Sequence, residues 1–202
     1  MDQMFDELLG QLTQGKGLEA LARQVGASED ATAEAAGAAL PMMFSALSRN
    51  MSAPQGADAL LAALDGGHDG SILDDLVGAL GGGGAEGSSI GEAILGHMLG
   101  VKRGGIESEI GRSAGLDGAT ISKLLVALAP LVMGALGKAQ QEHRMGSQEL
   151  GYELGQVAKH AEDSLGARFG PLGNLLDMDG DGQIDEGIIS AGKSLLGRFF
   201  RR

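Results

Sequence analysis

No cysteine occurs anywhere in the 202 residues. That absence removes disulfides, thiolate nucleophiles and every Cys-based zinc or iron–sulfur site together. Tryptophan is missing as well and aromatic residues make up only 3% of the chain, so a core must be assembled from Leu, Ala, Ile, Val and Met. Basic residues are scarce at one end: residues 1–100 carry three, Lys16, Arg23 and Arg49, against 14 acidic ones, whereas residues 101–202 carry 12 and 13. An acidic half of this kind repels nucleic acid and anionic lipid and draws cations or basic partners. Proline is rare, four residues against 36 glycines. The glycines follow no collagen-like period; they punctuate short apolar runs, the pattern of many short helices joined by glycine turns. No unbroken apolar stretch reaches the roughly 18 residues of a membrane span. The opening "MDQMFDELLG" is acidic where a secretory signal is basic, so the expected location is the cytoplasm.

What the chain does have is hydrophobic residue in quantity, 43%, arranged so that one half echoes the other. At an offset of 89, "LARQVGASEDATAEAAGAALPMMFSAL" (21–47) lies over "IGRSAGLDGATISKLLVALAPLVMGAL" (110–136), pairing Arg23 with Arg112, Gly26 with Gly115 and Pro41 with Pro130. A repeat found this way sets the architecture before any single motif does. Each copy reads as a short amphipathic helix, a second helix ending in "VG" or "AG", a long helix with an internal proline, a short fourth helix and an Asp-rich loop. Ser28 and Asp117 are natural N-caps for the long helices, and Pro41 and Pro130 should kink them. "LLVALAPLVMGAL" (124–136) is apolar all round and must sit centrally. The expectation is an all-α protein, a tandem duplicated helical repeat with kinked central helices. Its parts are a first repeat at 1–80, a Gly/Ser linker at 81–92 and a second repeat at 93–155. An inserted helix and turn at 156–176, an Asp loop at 177–188 and a basic amphipathic helix at 189–202 complete it.

The loop "DMDGDGQIDEGI" (177–188) carries the most specific chemistry. An EF-hand-like loop needs oxygen ligands at positions 1, 3 and 5, glycine at 6, a backbone carbonyl at 7 and commonly a bidentate Glu at 12. Asp177, Asp179, Asp181, Gly182, the carbonyl of Gln183, and Asp185 at position 9 meet that pattern, while position 12 is Ile188. Four carboxylates so spaced repel one another without a cation. Calcium is therefore the expected cofactor, with Asp177, Asp179, Asp181, Gln183 and Asp185 as ligands, bound weakly because the bidentate ligand is missing. The earlier "DGGHDGSILDDL" (65–76) keeps Asp65 and Asp69 but has Gly67 and Leu73 where the other loop has acids. Helix capping is the expectation there.

"HDGSILDDL", "GLDGATISKLLVALAPLVMGAL" and the late Asp-Gly loop together resemble the YidB-like group of bacterial families of unknown function. The resemblance covers most of residues 4–139 and the loop at 177–185. It implies a bacterial helical protein and lends no catalytic residues.

Other features point to association rather than catalysis. "EIGRSAGLDGATISKLL" (109–125) has helix-turn-helix spacing, but Glu29, Asp30 and Glu34 line the equivalent helix of the other copy, and phosphate contacts supply much of DNA affinity. The motif reads as packing geometry, with a DNA-binding regulator or nucleoid-associated protein as the alternative function. Around "GKSLLGRFFRR" (192–202), Ile188, Leu195, Leu196, Phe199 and Phe200 can share a helix face ringed by Lys193, Arg198, Arg201 and Arg202. Such a segment suits a docking helix or peripheral membrane contact through 189–202. His68, His97, His143 and His160 are scattered, no Ser or Thr stands beside a plausible base, and the glycine-rich run at 80–87 is not followed by Lys-Ser or Lys-Thr. The expected function is a non-catalytic, self-associating interaction protein with a calcium loop.

Overall fold

The computed structural model describes residues 2–53, 55–65, 71–81 and 85–169. Every regular element among them is helical, as expected of an all-α protein. In order they are α1 (Asp2–Thr13), α2 (Gly15–Val25), α3 (Glu29–Ser52), α4 (Gly56–Asp65), α5 (Ser71–Asp74), α6 (Leu76–Gly81) and α7 (Ala85–Leu99). A 3-10 turn (Gly100–Lys102), α8 (Arg103–Ala114), α9 (Gly118–His143) and α10 (Ser147–Phe169) follow. Residues 1–162 form one compact unit; of the second, 163–202, only the end of α10 is described.

The two corners that launch the long helices are built from the same parts. α2 stops at Gly26, whose φ of 78° is left-handed and favours a residue without a Cβ. The N–H groups of Gly26 and Ala27 both close on the Ala22 carbonyl, at 2.9 and 3.1 Å. Ser28 then caps α3 by accepting from the Ala31 N–H at 3.3 Å. Eighty-nine residues further on, Gly115 takes φ 66°, Leu116 N–H bonds the Gly111 carbonyl at 3.0 Å, and Asp117 accepts from Thr120 N–H at 2.9 Å. Chain reversal and cap are thus encoded within three residues at each corner. Pro41 and Pro130 lie inside α3 and α9 without ending either helix.

α3 and α9 pack against each other at the centre. Phe44, Leu40 and Met43 from α3, and Ile121, Leu124, Leu125, Leu128 and Leu136 from α9, are fully buried. α9 also packs on α7 and α8 on one hand and on α1, α2, α4 and α5 on the other. Among the described residues it is the one helix long and apolar enough to cross a membrane, and 72% of its most apolar window is buried inside the unit. Close approach helps: Gly91 of α7 leaves no room for a Cβ against the backbone carbonyl of Val126.

Three of the expected segment boundaries, after residues 80, 92 and 155, fall inside helices. Of the linker expected at 81–92, residues 85–92 open α7. "IGEAIL" there puts Gly91 and Leu95 one turn apart on the face turned to α9, so packing holds as helix a stretch whose glycines and serines read as spacer. Of the insertion expected at 156–176, residues 156–169 continue α10 without a break. Leu150, Leu154, Val157 and Ala158 are buried at helical spacing straight across residue 155.

Candidate functional site

The proposed calcium ligands Asp177, Asp179, Asp181, Gln183 and Asp185, and the basic segment 189–202, lie outside the described residues. So do His68 and Asp69 of the earlier loop. Of that loop's neighbours, Asp65 ends α4 and Asp74 ends α5, both exposed. Asp75 accepts from the Gly78 N–H at 2.9 Å and so caps the start of α6. Among the described residues no three His, Asp or Glu side chains are grouped as metal ligands.

The corner with helix-turn-helix spacing is firmly packed. Ile110, Ala114, Ile121 and Leu124 are all buried where α8 meets α9. The start of α9 exposes Asp117, Gly118, Ala119 and Lys123; the start of α3 exposes Glu29, Asp30 and Glu34. Asp117's carboxyl is held below its ordinary value chiefly by the backbone N–H of Thr120, then by the Thr120 hydroxyl, which donates to it at 2.9 Å.

Beside this corner Arg103, at the head of α8, gathers three helices. Its guanidinium donates to Glu92 of α7, to Glu107 one turn along α8 at 2.7 Å, and to the Ser122 hydroxyl of α9 at 2.6 Å. The bond from Arg103 lowers the Glu92 carboxyl below its ordinary value, and the two glutamates together push the guanidinium up. The cation is thereby spent on the fold rather than presented to a phosphate. The positions 89 residues earlier are Gln3, Gln14, Leu18 and Ala33, so this ionic knot belongs to one half alone. Sequence reasoning missed it because Arg103 and Glu92 are separated by a helix end and a 3-10 turn.

The described surface also holds a cleft of about 400 Å³ between α1, α5 and α9. Glu7, Gln11, Asp74, Lys138, Glu142 and His143 rim it, over a floor that includes Leu8 and Ala139. These residues come from three distant stretches, so no local pattern announces the cleft. Its three carboxylates and one lysine are suited to hold a cationic group, and no Ser, Thr or Cys lines it to act as a nucleophile. The described histidines are dispersed: His97 is exposed in the last turn of α7, His143 rims the cleft, and His160 of α10 meets Asp6 of α1 at 3.4 Å.

Compared with known proteins, residues 6–139 match the model of a family described as "Bacterial protein of unknown function (DUF937)". No curated protein matches, and no solved structure does.

Proposed function

The chain belongs to the bacterial DUF937 family, and from that premise we propose that it is a non-catalytic cytoplasmic protein that works by self-association, with a calcium loop at Asp177, Asp179, Asp181, Gln183 and Asp185. One observation carries the reading. Asp6, Glu7, Glu19, Glu29, Asp30, Glu34, Asp58, Asp65, Asp74, Asp75 and Glu92, the acidic side chains of residues 1–100 whose exposure is described, are all exposed. Lys16 and Arg23 are the exposed basic residues among them, and Arg23 is already paired with Glu19 at 3.5 Å. The first half therefore wears an acidic coat with few internal counter-ions, a surface that recruits cations or basic segments. The basic segment 193–202 of a second chain supplies such charge, and calcium between the four loop carboxylates relieves their repulsion.

Light scattering from low to high salt tests association: a mass above 20.5 kDa that falls as salt rises supports it, and a monomer at every concentration up to the millimolar range removes it. Calcium binding is read as thermal stabilisation of metal-stripped protein, about 2.7 kcal/mol at 100-fold above the dissociation constant. Asp181→Ala should abolish the shift and Asp69→Ala should leave it. DNA binding tighter than about 1 μM at physiological salt in a gel shift would replace this reading with the regulator alternative.

A further inference from the structure

Helix α9, the one described helix both long and apolar enough to cross a membrane, takes much of its cover from the other end of the sequence: α1, α2, α3, α4 and α5 all pack on it. The packing is reciprocal. α3 lies on α8 as α9 lies on α2, α3 touches α7 as α9 touches α1, and α3 and α9 touch each other. Within each half the same relations hold, α1 and α2 on α3, α7 and α8 on α9. A polar contact crosses the same surface, where Asn50 at the end of α3 donates to the carbonyls of His97 and Met98 at 3.2 and 3.1 Å and satisfies the open end of α7. A surface on which one element of the first half meets a second element of the other, and the second meets the first, is the pattern of a two-fold subunit contact. Detached from residues 2–81, α9 would show water the side chains that those helices now cover. Between α6 and α7 the covalent tether is Gly82, Gly83 and Gly84.

We propose that residues 2–81 and 85–160 meet across an exchangeable interface, and that the partner in self-association is a second copy of this chain whose second half seats on the first half of its neighbour. The proposal shares with the reading above only that the partner is a second copy of this chain; the surface it names is apolar rather than the acidic coat, so its association persists where attraction between charges is screened. The same apolar side chains are covered in the closed monomer and in the exchanged dimer, so the tether rather than the contact sets the balance between them.

The length of the tether is therefore the variable to change, in the full chain and at high salt, where attraction between exposed charges is screened. Removing Gly82–Gly84 shortens the reach from α6 to α7 by about 10 Å. That variant is expected to scatter light as a dimer, twice the 20.5 kDa of one chain, with unchanged helicity by circular dichroism. A chain with about ten Gly/Ser residues added at Gly83, long enough to close freely, is expected to be monomeric under the same conditions. A helical monomer from the shortened chain overturns the proposal. Association that depends on salt but not on tether length also overturns it, while leaving self-association through another surface intact. A protease site in place of Gly82–Gly84, cut in the folded full chain, reads the interface independently of whether the shortened chain folds. The two pieces should elute as one helical particle, and their separation sinks the idea.

Discussion

Thr32 is a hydroxyl in the wrong company. It sits in the first turns of α3 with 0% of its surface exposed, and its Oγ1 has no hydrogen-bond partner among the described residues. At the corresponding position of α9, 89 residues on, stands Ile121, equally buried. A buried hydroxyl left unsatisfied costs about 1–3 kcal/mol, and a methyl in its place adds about 0.8 kcal/mol of burial. Thr and Val differ little in helix propensity. Taking the lower part of that range, Thr32→Val should stabilise the protein by about 1–2 kcal/mol, a rise in thermal midpoint of roughly 3–6 °C for a chain of this size. The reverse change, Ile121→Thr, deletes buried carbon and installs an orphan hydroxyl, and should cost about 2–4 kcal/mol. Urea titrations followed by far-UV circular dichroism measure both, with the slope expected to be the same in each variant. If Thr32→Val proves less stable than wild type, the hydroxyl has a partner, such as a buried water, and the asymmetry between Thr32 and Ile121 has been misread.

Replacing Arg103 by Met leaves Glu92, Glu107 and Ser122 without their shared donor and should cost on the order of 1–2 kcal/mol. Because Glu92's carboxyl is lowered from 4.5 by Arg103, its contribution is complete above that value and lost as pH falls through the depressed one, an acid limb that Arg103→Met should flatten in denaturation curves. Asp117 obeys the same sign: its carboxyl is lowered from 3.8, so the cap on α9 weakens only in acid. Asp117→Asn should keep the helix cap and Asp117→Ala should lower the thermal midpoint at neutral pH. On α7, Gly91→Ala must push against the Val126 carbonyl and should destabilise by about 1–3 kcal/mol. Gly96→Ala, with nothing within 4 Å of the added carbon, should stabilise by about 0.5–1 kcal/mol.

The all-helical class and the cores of both long helices were legible because apolar periodicity, a glycine stop and a capping residue coincide at Gly26–Ser28 and Gly115–Asp117. Each of those signals acts over a few residues, where local chemistry decides the backbone. Residues 85–92 read as spacer because "AEGSSIGE" is locally neutral, and the helix they form packs on α9, with Gly91 and Leu95 buried. At 156–176 the sequence reads as a separate inserted helix and turn; that residues 156–169 instead continue α10 is carried by Leu150, Leu154 and Val157, whose spacing runs across residue 155. The Arg103 knot and the cleft near Glu142 assemble from separate helices, so sequence distance hid both.

The burial of α9 has a consequence for the order in which the chain is made. A 26-residue helix this apolar, emerging alone from a ribosome, presents what a membrane-insertion machinery selects. Synthesis proceeds from the N-terminus at roughly 5–20 residues per second, so α1 to α5 exist for several seconds before residue 118 is added. Helices form in microseconds. The cover for α9 is thus waiting when it arrives, and a circular permutant that begins at α7 would reverse the sequence of events, sending its most lipid-like segment into the cell ahead of the helices that shelter it.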